Sequence, residues 1–378
     1  MVVDLPSFPA RGSDKQLNIV VIGGGPAGCA AAIRLAAEPG ISVTVVERGD
    51  YRGYRAGETL PPQAAGLLAG LGLWNDFVAA EPASVSQIYS AWASSELQVK
   101  PLMFQPHGRG WHIRRTWFDR LLAQAAIVAG ASLYTQTKVQ SIAPAVDGGW
   151  MLELSGQGED RLQADFVIDA SGRARKMARQ VMIEPVASDQ QLALVAYCDM
   201  ARQVLADEDN GLLLETVPAG WMYCAPVTTR QCVVVLMTNH ATLQTSAQAK
   251  AIWQQAVNES RYIHQRLNGY LTPSEVIIYP SRSQLTERCF GESWVAIGDA
   301  AMAYDPLTGM GITKAMADAE QVAEKIRQAF RDSQSIDFSD YAQKHQRAFA
   351  HYADNRRAFY QMEKRWPNAP YWREVQQL

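Results

Sequence analysis

The sequence is short of cysteine, of long apolar runs and of basic charge, and each shortage excludes something. The five cysteines are Cys29, Cys198, Cys224, Cys232 and Cys289, and none forms a Cys-x-x-Cys pair. That argues against a zinc or other metal site and against a redox-active disulfide, and it favours small buried thiols in a reducing cytoplasm. No apolar run reaches the roughly 18 residues needed to span a bilayer. Residues 1–16 carry no apolar core of signal-peptide type and read as a frayed leader. A cytoplasmic protein, off the membrane, is expected. Lys and Arg number 35 against 38 Asp and Glu, a formal net charge of -3. A nucleic-acid binder would show a basic excess. Neither an internal repeat nor a low-complexity segment is present.

What is there is an ordinary globular balance, 48% hydrophobic and 19% charged over 378 residues, long enough for more than one domain. Leu17-Asn-Ile-Val-Val-Ile22 and Ile41-Ser-Val-Thr-Val-Val46 are unbroken apolar runs of the kind that form buried parallel strands. The Ala-rich stretch 28–37 between them reads as a helix, completing a βαβ unit. Residues 51–62 read as a loop, 63–80 as helical and 85–105 as a pair of strands. Residues 117–129 read as a helix closing at Gly130, and 132–142 and 150–154 as strands of a meander. Residues 165–169 form a short buried strand. Residues 192–200, 211–215, 220–226 and 231–238 alternate like an antiparallel sheet. Residues 246–258 read as helical, 294–297 as a strand, 311–331 as a long helix, and the tail from Phe338 as helical and aromatic-rich.

The strongest motif is Gly23-x-Gly25-x-x-Gly28, which follows the first strand and opens the helix through Pro26 and Ala27. The first glycine permits a tight turn, the second lets a pyrophosphate approach the backbone, and the third lets helix and strand pack closely. The helix N-terminus then offers free N–H groups to the phosphates. Glu47 ends the second strand at about the distance where an acidic residue binds ribose hydroxyls, with Arg48 beside it. This fingerprint does not separate a nicotinamide from a flavin dinucleotide. A second GxGxxG after a strand is missing, so no dedicated nicotinamide domain is expected.

Later segments carry a resemblance. Trp294-Val-Ala-Ile-Gly298-Asp299-Ala300-Ala301 resembles the second flavin fingerprint of the p-hydroxybenzoate hydroxylase superfamily, in which the Asp holds the ribityl chain. Pro306-Leu-Thr-Gly309-Met310-Gly311-Ile312 resembles its Pro-containing loop beside the isoalloxazine, leading into a helix aimed at the flavin. That helix end could stabilise negative charge on reduced flavin. Asp165 to Gly172 resembles the middle Asp-Ala-Ser-Gly motif. Arg115-Thr-Trp-Phe118-Asp119 resembles the Arg-x-x-Phe-Asp helix start, and Arg55-Ala-Gly57-Glu58 the Arg-containing turn after the first βαβ unit. The resemblance covers most of residues 17–330 and implies FAD, held by Gly23, Gly25, Pro26, Ala27, Gly28, Glu47, Arg48, Arg55, Arg115, Val139, Gly298, Asp299, Gly309, Met310, Gly311 and Ile312.

Within the superfamily, Gly57-Glu58-Thr-Leu-Pro61-Pro62 followed by Leu71-Gly-Leu-Trp74 resembles the Gly-Glu-x-x-x-Pro … Leu-Gly pattern of the tryptophan halogenase branch. The ending Arg365-Trp366 … Tyr371-Trp372 resembles the Arg-Trp … Phe-Trp of halogenase-like flavoproteins. The halogenases' Trp-x-Trp-x-Ile-Pro segment is absent, and Gln87 to Trp92 holds no counterpart of their lysine, which disfavours halogenation. With its short length, the chain is most similar to the accessory flavoproteins that mature amine oxidases carrying cysteine tryptophylquinone.

The expected fold is therefore α/β: a Rossmann-like FAD-binding domain with a central parallel sheet (1–80, 111–180 and 286–332), an antiparallel-sheet substrate domain (81–110 and 181–285) and a helical C-terminal segment (333–378). The resemblance implies a monooxygenase with O2 as co-substrate and NADH or NADPH as a transient reductant. It implies action through a flavin C4a-hydroperoxide on a tryptophan of a partner amine oxidase precursor. The alternatives are a hydroxylase or reductase of a small aromatic or isoprenoid molecule, and a non-catalytic escort of the Rab GDP-dissociation inhibitor kind, which has no need of Glu47 or Asp299. No catalytic acid or base is named; Asp305 and Pro306 are the positioning candidates, with a structural loop an equal reading. Trp111 and His112 precede Arg115, and His112 reads as a satisfied core residue. The tail is expected to pack back on the flavin half.

Overall fold

The computed structural model describes residues 16–102, 104, 108–187, 189–200, 210–270 and 272–377. Apart from Gln16, the leader read at the N-terminus lies outside the described residues.

Leu17–Ile22 sits near the centre of a six-stranded sheet. It pairs in parallel with Ile41–Val46 on one side and Phe166–Asp169 on the other. Ser132–Tyr134 and Trp294–Ala296 continue the parallel order outward, and Phe290–Gly291 closes one edge antiparallel. A strand covered on both faces needs no polar alternation, and the glycine-motif helix Pro26–Ala36 supplies cover while packing on Arg115–Val128 and Gly311–Asp332. The pairing sets Ile22 opposite both Val46 and Asp169, and Asp169 opposite Ala296. The loops that follow these residues therefore leave one carboxyl edge together, which is where open α/β sheets bind ligands.

A seven-stranded sheet forms the second layer, in the order Ile277–Pro280, Gln191–Asp199, Gln231–Asn239, Gly220–Thr228, Leu212–Val217, Gln87–Ala91, Gln98–Pro101. All neighbours are antiparallel except Leu212–Val217 with Gln87–Ala91. Alternation divides its residues. Leu194, Cys198, Met222, Cys224 and Val234 pack with Trp253 and Ile263 of the helices Ala249–Glu259 and Tyr262–Arg266. Val195, Tyr197, Trp221, Tyr223 and Val235 turn the other way, toward Ala56 and Leu307 of the flavin-side loops. The α/β class and the two kinds of sheet agree with the sequence.

Three readings are corrected. The stretch 132–142 is not one meander strand. Gln136, at φ 53°, breaks it, so Ser132–Tyr134 joins the parallel sheet and only Lys138–Pro144 joins the meander with Trp150–Ser155 and Arg161–Ala164. The helical stretch 63–80 splits into Ala64–Gly70 and Trp74–Ala79 around Gly72, at φ +75°. The tail packs on both halves. In helix Ser339–Gln361, Tyr341 lies in the flavin-side core and its hydroxyl donates to the Ala296 carbonyl at 3.0 Å, while Tyr360, Tyr371 and Trp372 are buried with Trp221 on the antiparallel sheet. The Trp372 indole N–H donates to the Val217 carbonyl at 2.8 Å. No helix among the described residues is long and apolar enough to cross a membrane.

Candidate functional site

The three motif glycines meet different surroundings. A Cβ on Gly23, at φ +107°, would lie 2.4 Å from the Ala170 carbonyl oxygen, and one on Gly28 would lie 1.9 Å from that of Gly23. Both positions are demanded by the protein's own packing. A Cβ on Gly25 would meet nothing within 4 Å, so this glycine faces an open cradle at the N-terminus of Pro26–Ala36, where Pro26 sits in the first turn and Ala27 is buried.

Glu47 follows strand Ile41–Val46 and is buried beside that cradle. Its Oε2 accepts from the Gly24 N–H and its Oε1 from the Gly49 N–H, both at 2.8 Å. Arg55 donates to Oε1 at 2.8 Å and to Asp119 Oδ2 at 3.2 Å. Arg115 continues the ladder, donating through Nε to Asp119 Oδ1 at 3.0 Å and through Nη1 to the Ala56 carbonyl. Two arginines from distant segments are thereby fixed at the opening by two carboxylates. Arg48 is exposed next to Glu47. Val139 is buried two residues beyond Thr137, whose N–H donates to the Glu47 carbonyl at 3.0 Å; its own carbonyl takes the Lys176 ammonium at 3.0 Å.

The second fingerprint arrives from the other side. Gly298, at φ +60°, packs so closely that a Cβ would sit 3.0 Å from Ala27 Cβ and 3.4 Å from Ala315 Cβ. Its N–H donates to Asp318 Oδ2 at 3.1 Å. Asp318 also holds Lys314 at 3.0 Å and His345 at 3.3 Å. Asp299 keeps a half-buried carboxylate 3.6 Å from Arg173 Nε. Arg173, from the Asp-Ala-Ser-Gly-Arg segment, also donates to the carbonyls of Arg282 and Tyr304. Sequence reasoning gave Arg173 no role, because nothing local marks it.

Asp305 does not face the opening. Its carboxylate is buried, Oδ2 accepting from Gln191 Nε2 and Tyr360 Oη at 2.6 Å each and from Arg356 Nε at 3.3 Å, while Oδ1 caps the next turn through the Leu307 N–H at 2.9 Å. It holds the loop in place from inside; Pro306 is the exposed member. After Gly309, at φ +61°, helix Gly311–Asp332 begins at Met310 without a side-chain cap, and Cβ atoms on Gly309 or Gly311 would meet nothing within 4 Å. The first N–H groups of a helix have no intrahelical acceptor, so this 22-residue helix presents a positive end to an open space. Ile312 and Arg115 close in on Gly57: a Cβ there would lie 3.5 Å from Ile312 Cδ1 and 2.9 Å from Arg115 Nη1. The turn after the βαβ unit, the Arg-x-x-Phe-Asp helix and the long helix thus converge.

The carboxyl of Glu58 stands next to that convergence. It is 2% exposed. Oε1 accepts from the Tyr197 hydroxyl at 2.8 Å, and Oε2 from the Gly57 N–H at 2.9 Å and the Tyr223 hydroxyl at 3.4 Å. Burial pushes the carboxyl above its ordinary value, partly offset by the Tyr197 hydrogen bond. His112 lies one strand away, its Nδ1 3.1 Å from the Thr59 hydroxyl and its Nε2 2.8 Å from the Asn210 carbonyl. Burial lowers its pKa to about 4, so the ring is neutral, with Nε2–H the donor to Asn210. It is a satisfied core histidine, as its sequence context suggests.

An edge so arranged, with an open glycine cradle, an anchored carboxylate beside it and an uncapped helix end across from it, suits a flavin dinucleotide. The fold is that of the FAD-dependent oxidoreductases. The chain belongs to the FAD binding domain family, which it matches over residues 16–356. It is similar to LodB of Marinomonas mediterranea, which is named an FAD-dependent oxidoreductase, with 29% identity over 371 residues covering 95% of this chain and 96% of that protein. Among solved structures it is similar to QhpG, named a peptidyl tryptophan dihydroxylase essential for tryptophylquinone cofactor biogenesis, with 26% identity, a TM-score of 0.73, and coverage of 96% and 79% of the two chains. It shares its fold with the myxobacterial chondrochloren halogenase CndH, with 21% identity, a TM-score of 0.86, and coverage of 96% and 86%.

Proposed function

We propose that this flavoprotein is a monooxygenase acting in the cytoplasm on a tryptophan side chain of a partner amine oxidase precursor, on the way to cysteine tryptophylquinone. The observation that carries the reading is the likeness to QhpG, named for dihydroxylating a peptidyl tryptophan, across 96% of this chain. The absence of any lysine in Gln87 to Trp92 supports oxygenation over halogenation.

FAD, when bound, supplies the redox chemistry: two electrons from NADH or NADPH reduce it, one atom of O2 enters the substrate ring and the other leaves as water. The chain's own part is to bind and orient. In this reading Gly23, Gly25, Pro26, Ala27 and Gly28 receive the pyrophosphate on N–H groups, and Glu47, with Arg48 and Val139 nearby, meets the adenosine side. Arg55 and Arg115, fixed by Glu47 and Asp119, neutralise phosphate and flavin charge. Asp299, steadied by Arg173, takes the ribityl hydroxyls. Gly309, Met310, Gly311 and Ile312 bring the helix end to the ring. Asp305 fixes the Pro306 loop from behind.

The test is co-expression with an amine oxidase precursor and mass measurement of that precursor. A gain of oxygen at tryptophan is expected. An unchanged mass, with the protein yellow and its flavin reducible by NADH or NADPH, would move the assignment to a small-molecule hydroxylase or reductase.

A further inference from the structure

We propose that Glu58, Tyr197 and Tyr223 form a proton relay that takes the ring proton released when oxygen is added to the aromatic substrate, an inference that rests on the monooxygenase reading above.

A buried carboxylate ordinarily stays charged by pairing with a cation. Glu58 has no ion pair among the described residues; its donors are two phenols and the Gly57 N–H. Arg115 acts on Glu58 only through its charge; its guanidinium is bonded to Asp119 and the Ala56 carbonyl. The other titratable groups facing this place are Tyr279, from strand Ile277–Pro280, and Arg55, whose carbonyl lies 3.4 Å from the Tyr197 hydroxyl.

The placement matters as much as the partners. A Cβ on Gly57 would lie 2.9 Å from Arg115 Nη1 and 3.5 Å from Ile312 Cδ1, so Glu58 is the residue after a turn packed close to the first turn of the long helix. Tyr197 and Tyr223 are half-buried while Glu58 is buried, so the phenols are the more accessible members of the cluster. Tyr54 stacks on Tyr197 with centroids 4.0 Å apart and planes 22° from parallel. The Tyr279 hydroxyl donates to the Tyr54 carbonyl at 3.3 Å. A flat aromatic substrate meets an aromatic wall here, with hydroxyls leading inward.

The chemistry needs such a group. Oxygen derived from O2 and two nicotinamide electrons forms a C–O bond at an aromatic ring carbon. The C–H bond at that carbon then breaks, and its electron pair restores the aromatic ring. The proton passes to a tyrosine oxygen as that hydroxyl's own proton moves onto Glu58. The carboxyl is left neutral until it returns the proton to solvent. A carboxyl raised by burial is a better acceptor near neutral pH.

The experiment compares wild-type holoenzyme with Glu58→Gln, Glu58→Asp, Tyr197→Phe and Tyr223→Phe, using oxidase precursor made with ordinary or ring-deuterated tryptophan. The rate of oxygen gain is followed across pH. Expected are a loss of about 100-fold for Glu58→Gln, a deuterium isotope effect that grows in that variant, and loss of the wild-type acid limb. Glu58→Asp keeps the limb, and each Phe variant slows turnover about tenfold. Flavin affinity, by fluorescence titration, stays within about twofold. A Glu58→Gln enzyme that keeps the limb and the wild-type isotope effect, or that slows only as it loses FAD, overturns the relay. Wild-type protein that leaves the precursor's mass unchanged sinks the parent reading instead. Infrared titration then judges Glu58 by itself. A protonated-carboxyl band that titrates in wild type and vanishes in Glu58→Gln supports a proton-holding group, and no such band refutes it.

Discussion

Asp318 and Glu58 are both buried carboxylates, one behind the flavin-side turn and one at the face of the antiparallel sheet, and the protein keeps them in opposite ways. Burial works against the charge of Asp318, but Lys314 and His345 outweigh it and hold the carboxyl below its ordinary value. Burial also works against Glu58; the Tyr197 hydroxyl, backbone N–H groups and the more distant charge of Arg115 offset it only in part, and the carboxyl ends above its ordinary value. Cations within about 3 Å lock a buried carboxylate as a strut, whereas neutral donors leave it free to exchange a proton. The flavin side is built of such struts: Glu47 with Arg55, Asp119 with Arg115, Asp318 with Lys314. The sheet face is built of phenols.

The harshest way to break the flavin side is Gly28→Ala. The new methyl would fall 1.9 Å from the Gly23 carbonyl oxygen, and that oxygen belongs to backbone, so helix and strand must separate. A loss of about 3 kcal/mol or more is expected, seen as failure to purify folded yellow protein. An unchanged melting temperature would refute the packing account.

Asp318→Asn comes next. It removes the carboxylate partner of a Lys314 side chain only 10% exposed, which also donates to the Gly298 carbonyl, and weakens the bond to the Gly298 N–H. Breaking such a pair costs about 3 kcal/mol, readable by urea unfolding at pH 7. The sign follows from the lowered folded value: this stability is present above the ordinary carboxylate range and fades as pH falls through the folded value. Wild type should therefore lose more stability on acidification than the variant does. Equal acid limbs would mean that Asp318 is not the strut described.

Glu58→Gln sharpens the contrast by moving the other way. A carboxyl raised in the folded state costs stability once pH rises past its unfolded value. Gln relieves that cost, so the variant should be more stable than wild type at pH 7, with the gain shrinking as pH falls toward the ordinary carboxylate range. A destabilised variant at pH 7 would show that the charged form is held better than its burial suggests. Together with slower turnover, the expected gain would mark Glu58 as a group kept at the expense of stability.

These two halves were not equally legible in the sequence. Strands 17–22 and 41–46 and the glycine turn could be read because a strand buried on both faces is written as an unbroken apolar run, and because Gly23 and Gly28 answer to local steric demands. The order of the later flavin segments was legible by resemblance. The Glu58 cluster was not. Tyr197 and Tyr223 are common strand residues at alternating positions, 139 and 165 residues from Glu58, and only the docking of sheet on turn brings them together. Asp305 reads as a loop residue until Gln191, from a strand of the antiparallel sheet, and Arg356 and Tyr360, from helix Ser339–Gln361, arrive beside it. The break at Gln136 hid inside a continuing alternation, since one residue at positive φ leaves no compositional trace.

The gentlest change asks whether the open cradle is what it looks like. Gly25 has φ −79° and ψ −173°, a conformation alanine adopts freely, and a Cβ there would touch nothing within 4 Å. Gly25→Ala should therefore fold with an unchanged or slightly higher melting temperature, because alanine narrows the unfolded ensemble by up to about 1 kcal/mol. The same methyl would stand where a pyrophosphate must approach the N–H groups of the helix. FAD affinity should then fall about tenfold or more, equivalent to at least about 1.4 kcal/mol, by flavin fluorescence titration of the apoprotein. Gly28→Ala, three residues on, should lose fold and flavin together. If Gly25→Ala binds FAD as tightly as wild type, the pyrophosphate does not cross Gly25, and the space beside it is a gap in the packing.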